Sequence, residues 1–152
     1  GVDDGTRIRL SSKGEAGVKG GANGDLYIFL NVIPHDIFKR SEENLFFEFP
    51  ISMADAALGT VLEVPTIGGG KAKVKIPSGT QTDKQFRLRD KGMPIMRGKG
   101  YGDLYIKVVT EVPISLNKEQ KELLEKFRGL ENSKTTPNVR NFFEKAKNFW
   151  KN

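Results

Sequence analysis

Cysteine is absent from the 152 residues, and histidine and tryptophan occur once each, at His35 and Trp150. Without a thiol there is no disulfide framework, no thiolate nucleophile and no cysteine-based metal site. Such a composition suits a reducing compartment, so a cytoplasmic protein is expected. A single imidazole cannot build a histidine metal cluster, and any Ser–His nucleophile pair would have to use His35. His35 stands in Pro34-His35-Asp36, directly after a strand-like run, where an exposed turn residue is expected. No apolar run approaches the roughly 18–20 residues that span a bilayer, and no membrane partner is expected.

What is present is modest in apolar content. Apolar residues make up 37% and charged residues 29%, enough for one ordinary domain or two small ones. The formal net charge of +6 permits binding to nucleic acid. The basic residues are interleaved with acidic ones, however, as in Lys118-Glu119-Gln120-Lys121-Glu122, and a solvated mixed-charge surface accounts for them better.

The chain repeats itself. Gly24-Asp25-Leu26-Tyr27-Ile28 recurs 78 residues later as Gly102-Asp103-Leu104-Tyr105-Ile106. The same offset, without a gap, pairs Arg9-Leu10 with Arg87-Leu88, Lys13-Gly14 with Lys91-Gly92, Gly20 with Gly98, and Gly1 with Gly79. Two copies of one structural unit are written here. The second has an upstream half, about residues 41–78, that the first lacks. The chain is therefore expected to open inside a domain of a longer protein.

Alternation marks the strands. Leu26, Ile28, Leu30 and Val32 fall on one face, with Tyr27, Phe29 and Asn31 on the other, and Leu104, Ile106 and Val108 repeat this. Leu45, Phe47 and Phe49 alternate with Phe46 and Glu48, as Phe86 and Leu88 do with Arg87 and Arg89. Residues 61–64 and 72–76 form short apolar strands around Gly68-Gly69-Gly70, a hairpin connection. Residues 52–58 suit a short helix closed by Gly59. This pattern predicts a mainly β protein of tandem antiparallel β-sandwiches, the first one truncated, over residues 1–40 and 41–114, with helices over 115–152. Asn117 is a candidate N-cap for a helix to about Arg128, with Leu116, Leu123, Leu124 and Phe127 on one stripe. Residues 129–137 read as a linker, and 138–151 as a helix carrying Phe142, Phe143, Ala146, Phe149 and Trp150 on one face. Such a stripe calls for cover, either from the chain's own sandwich or from another copy, and self-complementary apolar helices favour a twofold dimer.

Several motifs resemble chemistry without supporting it. In Gly98-Lys99-Gly100-Tyr101-Gly102 the glycines precede a strand and the third comes one position early for a dinucleotide loop. Gly68-Gly69-Gly70-Lys71 lacks the spacing and the following Ser or Thr of a Walker loop. Asp25 and Asp103 could be imagined as an acid–base pair, but their equivalence in two repeats argues for one structural role, ending a turn before a strand. Arg7, Arg9, Arg87, Arg89, Lys91, Arg97 and Lys99 alternate with core positions and read as the solvent side of a sheet. An enzyme is not expected.

The order of these segments resembles the C-terminal region of the DnaJ family. The stretch Gly1-Val2-Asp3-Asp4-Gly5-Thr6-Arg7-Ile8-Arg9-Leu10, then Gly14-Glu15-Ala16-Gly17 and Gly24-Asp25-Leu26-Tyr27, is similar to the segment after the zinc-binding repeats of zinc-containing members. Pro34-His35-Asp36-Ile37-Phe38-Lys39-Arg40, Pro50-Ile51-Ser52, Ile76-Pro77-Ser78-Gly79-Thr80 and Arg87-Leu88-Arg89-Asp90-Lys91-Gly92 continue the likeness, and the tail Phe142 to Trp150 resembles bacterial members. Pro34-His35-Asp36 has the letters of the J-domain His-Pro-Asp signature in the wrong order, with no helical hairpin around it.

The resemblance implies two β-sandwich domains and a helical dimerisation segment, the first domain holding apolar stretches of unfolded polypeptides for delivery to a DnaK-type ATPase chaperone. It implies a client groove to which Phe38, Ile8, Leu10 and Ile28 contribute; the last three read equally as core residues. It implies a homodimer through Leu123, Leu124, Phe127, Phe142, Phe143, Ala146, Phe149 and Trp150. Zinc belongs to the Cys-x-x-Cys repeats of such proteins, which this sequence lacks, so no cofactor is expected here.

Overall fold

The computed structural model describes residues 1–17 and 20–151. The chain divides into two compact units, Gly1–Val112 and the remainder from Pro113. Both copies of the repeat share the first unit. The start of the first copy is tied to the second by Arg40, whose guanidinium donates to the carbonyl of Gly1 at 3.2 Å and to that of Val2.

The first copy is a hairpin of β1 (Arg7–Leu10) and β2 (Leu26–Phe29), paired antiparallel with Ile8 opposite Ile28. The second is larger. A four-stranded sheet runs in the order β3 (Lys39–Ser41), β4 (Asn44–Ser52), β8 (Leu104–Glu111) and β7 (Gln85–Leu88). A separate hairpin of β5 (Thr60–Pro65) and β6 (Lys71–Ile76) packs against it. Alternation decides which side chains meet. Leu45, Phe47 and Ile51 from β4 and Leu104, Ile106 and Val108 from β8 bury one face, and Val64, Val74 and Ile76 from the β5–β6 hairpin close over them.

The central pair departs from expectation. β4 and β8 are parallel, Leu45 beside Leu104 and Phe49 beside Val108, where antiparallel sheets were expected. Alternation has the same period in either direction, so it carries no information on polarity. Parallel pairing needs a long return connection, and helix α1 (Met53–Leu58), β5, β6 and β7 supply it.

Helix α1 (Met53–Leu58) is capped at both ends. Ser52 Oγ accepts from the Asp55 N–H at 3.0 Å, and the Gly59 N–H returns to the Asp55 carbonyl at 2.9 Å. Gly59 has φ +83°, and a Cβ there would meet Ser78 N at 2.9 Å, which explains why glycine ends this helix.

The second unit holds α2 (Lys118–Leu130) and α3 (Pro137–Lys151). Asn117 caps α2 as expected, its side chain accepting from the Gln120 N–H at 2.8 Å while Gln120 Oε1 accepts from the Asn117 N–H at 3.1 Å. The connection is shorter than the expected 129–137, because α2 continues through Gly129 to Leu130. Gly129 does not take the left-handed conformation that would stop a helix. The turn instead forms at Asn132, whose side-chain oxygen accepts the N–H of Lys134 at 2.9 Å.

Candidate functional site

The repeat is built hydrogen bond by hydrogen bond. In the first copy Asp25 accepts from Arg9 Nε at 2.7 Å through one oxygen and from the Ser12 N–H at 3.0 Å through the other. In the second, Asp103 accepts from Arg87 Nε at 2.7 Å and from the Asp90 N–H at 3.0 Å. Ser12 and Asp90 hold matching left-handed conformations, φ 59° and 62°. The Gly14 N–H reaches the Gly24 carbonyl at 2.8 Å, and the Gly92 N–H reaches that of Gly102 at 2.9 Å. Asp25 and Asp103 thus do the same structural work, clamping a turn to the strand that follows.

The two carboxyls are correspondingly held below the ordinary aspartate range. For Asp25 the Ser12 N–H is the chief cause and the Arg9 guanidinium the next. For Asp103 the Asp90 N–H leads, and Arg87 adds to it against some loss of hydration. Both arginines are held correspondingly higher by their aspartates. Neither carboxylate is poised to take a proton near neutrality.

Identical local structure has different cover in the two copies. Leu104 and Ile106 are 0% and 1% exposed beneath β4 and the β5–β6 hairpin, whereas their counterparts Leu26 and Ile28 are 42% and 37% exposed. Ile8 and Leu10, across the ladder, are exposed as well, although their counterparts Phe86 and Leu88 pack on the core. The hairpin thus carries an apolar row, Ile8, Leu10, Leu26 and Ile28, and among the described residues no strand lies on the edge of β2 that corresponds to the β4 edge of β8. Its other face holds Arg7, which lies 5.0 Å over the Tyr27 ring, and the exposed Phe29.

Phe38 lies elsewhere. It is 6% exposed, set edge-to-face on Phe47 at 5.4 Å, and belongs to the core of the second copy rather than to a surface. Its environment was not legible because it follows a turn and precedes a three-residue strand, too short to show a period. Sequence reasoning also passed over an open groove of about 450 Å³ on the outer side of the four-stranded sheet. There Phe46 and Tyr105 stack at 5.0 Å, with Ile37, Lys39, Gln85 and Lys107 around them. The signal was available, since Phe46 and Tyr105 occupy outward positions of neighbouring strands where polar residues are usual.

On α3 the side chains of Phe142, Phe143, Phe149 and Trp150 are 54–78% exposed, and Val139 joins them. Ala146 sits between the two aromatic ridges at positions 142/149 and 143/150. On α2, Leu123, Phe127 and Leu130 are exposed and Leu124 is half-buried. Every expected dimerisation residue therefore lies on an accessible helical stripe. Among the described residues no three His, Asp or Glu side chains are grouped to hold a metal, and no helix is long and apolar enough to cross a membrane.

A twice-written β-module followed by a pair of amphipathic helices defines a scaffold of surfaces. The model of the DnaJ C terminal domain matches residues 1–113, and that of the chaperone protein DnaJ C-terminal region matches residues 119–152. The chain belongs to the DnaJ C-terminal domain family. It is 75% identical over its whole length to the chaperone protein DnaJ of Pelagibacter ubique, and 57% and 55% identical, over 99% of its length, to those of Xanthobacter autotrophicus and Azorhizobium caulinodans. It spans about two-fifths of the length of these relatives.

Proposed function

We propose that this chain is the client-holding and self-associating region of a cytoplasmic DnaJ-type chaperone, acting by binding rather than by catalysis. The observation that carries the reading is the match of the DnaJ C terminal domain to residues 1–113, over a β-module written twice. In the second copy β4 and the β5–β6 hairpin cover β7–β8, and the equivalents of those segments for β1–β2 are not among these residues, so Ile8, Leu10, Leu26 and Ile28 read as the inner face of a larger module. An extended polypeptide can add to a strand edge of such a module through backbone hydrogen bonds, which supply affinity with little sequence preference. Phe38 supports this surface only indirectly, by anchoring the segment between the copies. In the longer protein, bound segments pass to a DnaK-type partner, and zinc belongs to regions outside these residues.

The helices supply the second half of the proposal, a homodimer. With about 150–250 Å² per aromatic side chain, the exposures on α3 leave on the order of 500 Å² of ring surface per copy. Two such faces bury about 1,000 Å², just under the ~1,200–2,000 Å² of stable interfaces. Leu123, Phe127 and Leu130 of α2 bring the total into that range, so both helices belong to the interface.

Binding of a labelled, chemically denatured polypeptide tests the first half. With the counterpart of residues 41–78 not present for the first copy, this chain should capture it weakly; capture as tight as that by a full-length relative rejects the reading. Solution mass tests the second. The chain should be dimeric, and Phe142→Glu with Phe149→Glu monomeric. A monomer before substitution rejects the interface.

A further inference from the structure

A polypeptide that adds to a sheet needs an open strand edge, and the edges of the second copy are unequal. In the four-stranded sheet the outer strands β3 and β7 are three and four residues long, which leaves little to template a partner. β6 is six residues long and, among the described residues, is hydrogen-bonded to β5 alone, so its other edge is open. Its inward side chains, Ala72, Val74 and Ile76, belong to the core or pack against it, as those of a strand-forming segment do. Its outward positions are Lys71, Lys73 and Lys75, all exposed. Opposite them on β5 stand Pro65, Glu63 and Val61, of which Glu63 alone is acidic and lies 3.7 Å from Lys71. The open edge therefore carries an excess of positive charge along its whole outward face.

We propose that Lys71, Lys73 and Lys75 determine which extended segments the second copy refuses, closing the β6 edge to neutral and basic strands, another copy's β6 included. The proposal rests on the client-holding reading, since a protein that handles strand-forming segments has to keep them off its own remaining edges. Side chains alternate with period two, so an added strand that turns its apolar side chains to the core lays the others beside this row. A second β6 pairing antiparallel puts lysine directly opposite lysine, about 5 Å apart at Cβ, where like charges destabilise the pair. A slip of one residue escapes the repulsion only by turning the incoming apolar side chains out to water. A neutral strand brings no partner for the ammonium groups and crowds away part of their water. Only a strand with carboxylates at alternate positions meets the row favourably.

Two variants of the full chain test this by light scattering and by amide exchange within β6. Lys71→Thr with Lys73→Thr and Lys75→Thr leaves a neutral strand former on the edge. This chain should scatter more strongly than the unaltered one at equal concentration, and the β6 amides that point to the open edge should gain protection on the order of tenfold as they find partners. Replacing the same lysines by glutamate keeps the edge charged, and neither scattering nor protection should rise. Mixed in equal amounts, the glutamate variant and the unaltered chain should associate, because a carboxylate row then meets an ammonium row, and added salt should part them. Circular dichroism shows whether the threonine variant stays folded; if it does not, the mixing result decides alone. A folded threonine variant that scatters no more than the unaltered chain overturns the proposal, as does a mixture that stays apart or a glutamate variant that aggregates by itself. Capture of a denatured polypeptide is read separately, so a failure of the client-holding reading shows there and a failure of the lysine row shows here.

Discussion

Leu104 and Leu26 occupy the same position of the same hairpin, 78 residues apart, and differ only in what lies over them. Replacing each by alanine measures that cover. Leu104 is 0% exposed among Leu45, Ile106 and Val74, with no solvent to fill the space it would vacate. Truncation there removes the transfer energy of the lost methyl groups and leaves a cavity, which together cost about 3–5 kcal/mol. Leu26 has lost only part of its contact with water, and water refills the site, so its truncation should cost about 1 kcal/mol or less. The assay is urea unfolding of the first unit, followed through exchange of the β8 amides. Leu104→Ala should lower the midpoint strongly and Leu26→Ala slightly, with the slope unchanged in both. Equal losses would show that the first hairpin is buried as deeply as the second.

Other outcomes rest on the same structure. Because the carboxyls of Asp25 and Asp103 are held low, the stability they contribute is present above the ordinary aspartate value of about 4 and is lost as the pH falls through their lowered values; amide exchange at Ser12 and Asp90 should accelerate there, and not in Asp25→Asn and Asp103→Asn, where it is already faster. Asn117→Ala removes both halves of a capping box and should cost α2 about 1 kcal/mol, read as lost helicity on warming. The α3 helix carries Arg140, Lys145, Lys147 and Lys151 against Glu144 alone, so salt should tighten the dimer by screening repulsion between copies; a dissociation constant that rises with salt contradicts an apolar α3 interface. Gly102→Ala should destabilise the first unit by more than the ordinary cost of a surface change, because its Cβ would collide with the backbone of Glu43.

Much of this architecture was legible because the sequence says it twice. The pairs Arg9–Asp25 and Arg87–Asp103 form at corresponding positions, and the alternation of Leu45 and Phe47 or of Leu104 and Ile106 names the buried face of each strand. What alternation cannot encode is context. It does not distinguish the parallel neighbour that β4 became, nor the covered Ile106 from the open Ile28, whose flanking residues are nearly the same. Phe38 and Ile37 are adjacent and equally apolar, and only the chain's approach to Phe47 sends one inward and leaves the other at the rim of a groove. Most of each helical stripe was legible, since a 3.6-residue period marks a face whether or not anything lies against it, but Leu130 and Val139, at the ends next to the connection, were passed over.

The side-by-side alignment of β4 and β8 sets an order of assembly. The side chain of Asn44 receives the N–H of Asp103 across 59 residues, so the central sheet cannot close until nearly all of the first unit has left the ribosome. The β1–β2 and β5–β6 hairpins are local and form first, whereas Leu45 and Phe47 must wait in water for a strand that is synthesised late. During that interval the nascent chain displays the kind of sticky, half-made surface that, on our reading, the finished protein is built to shelter in others.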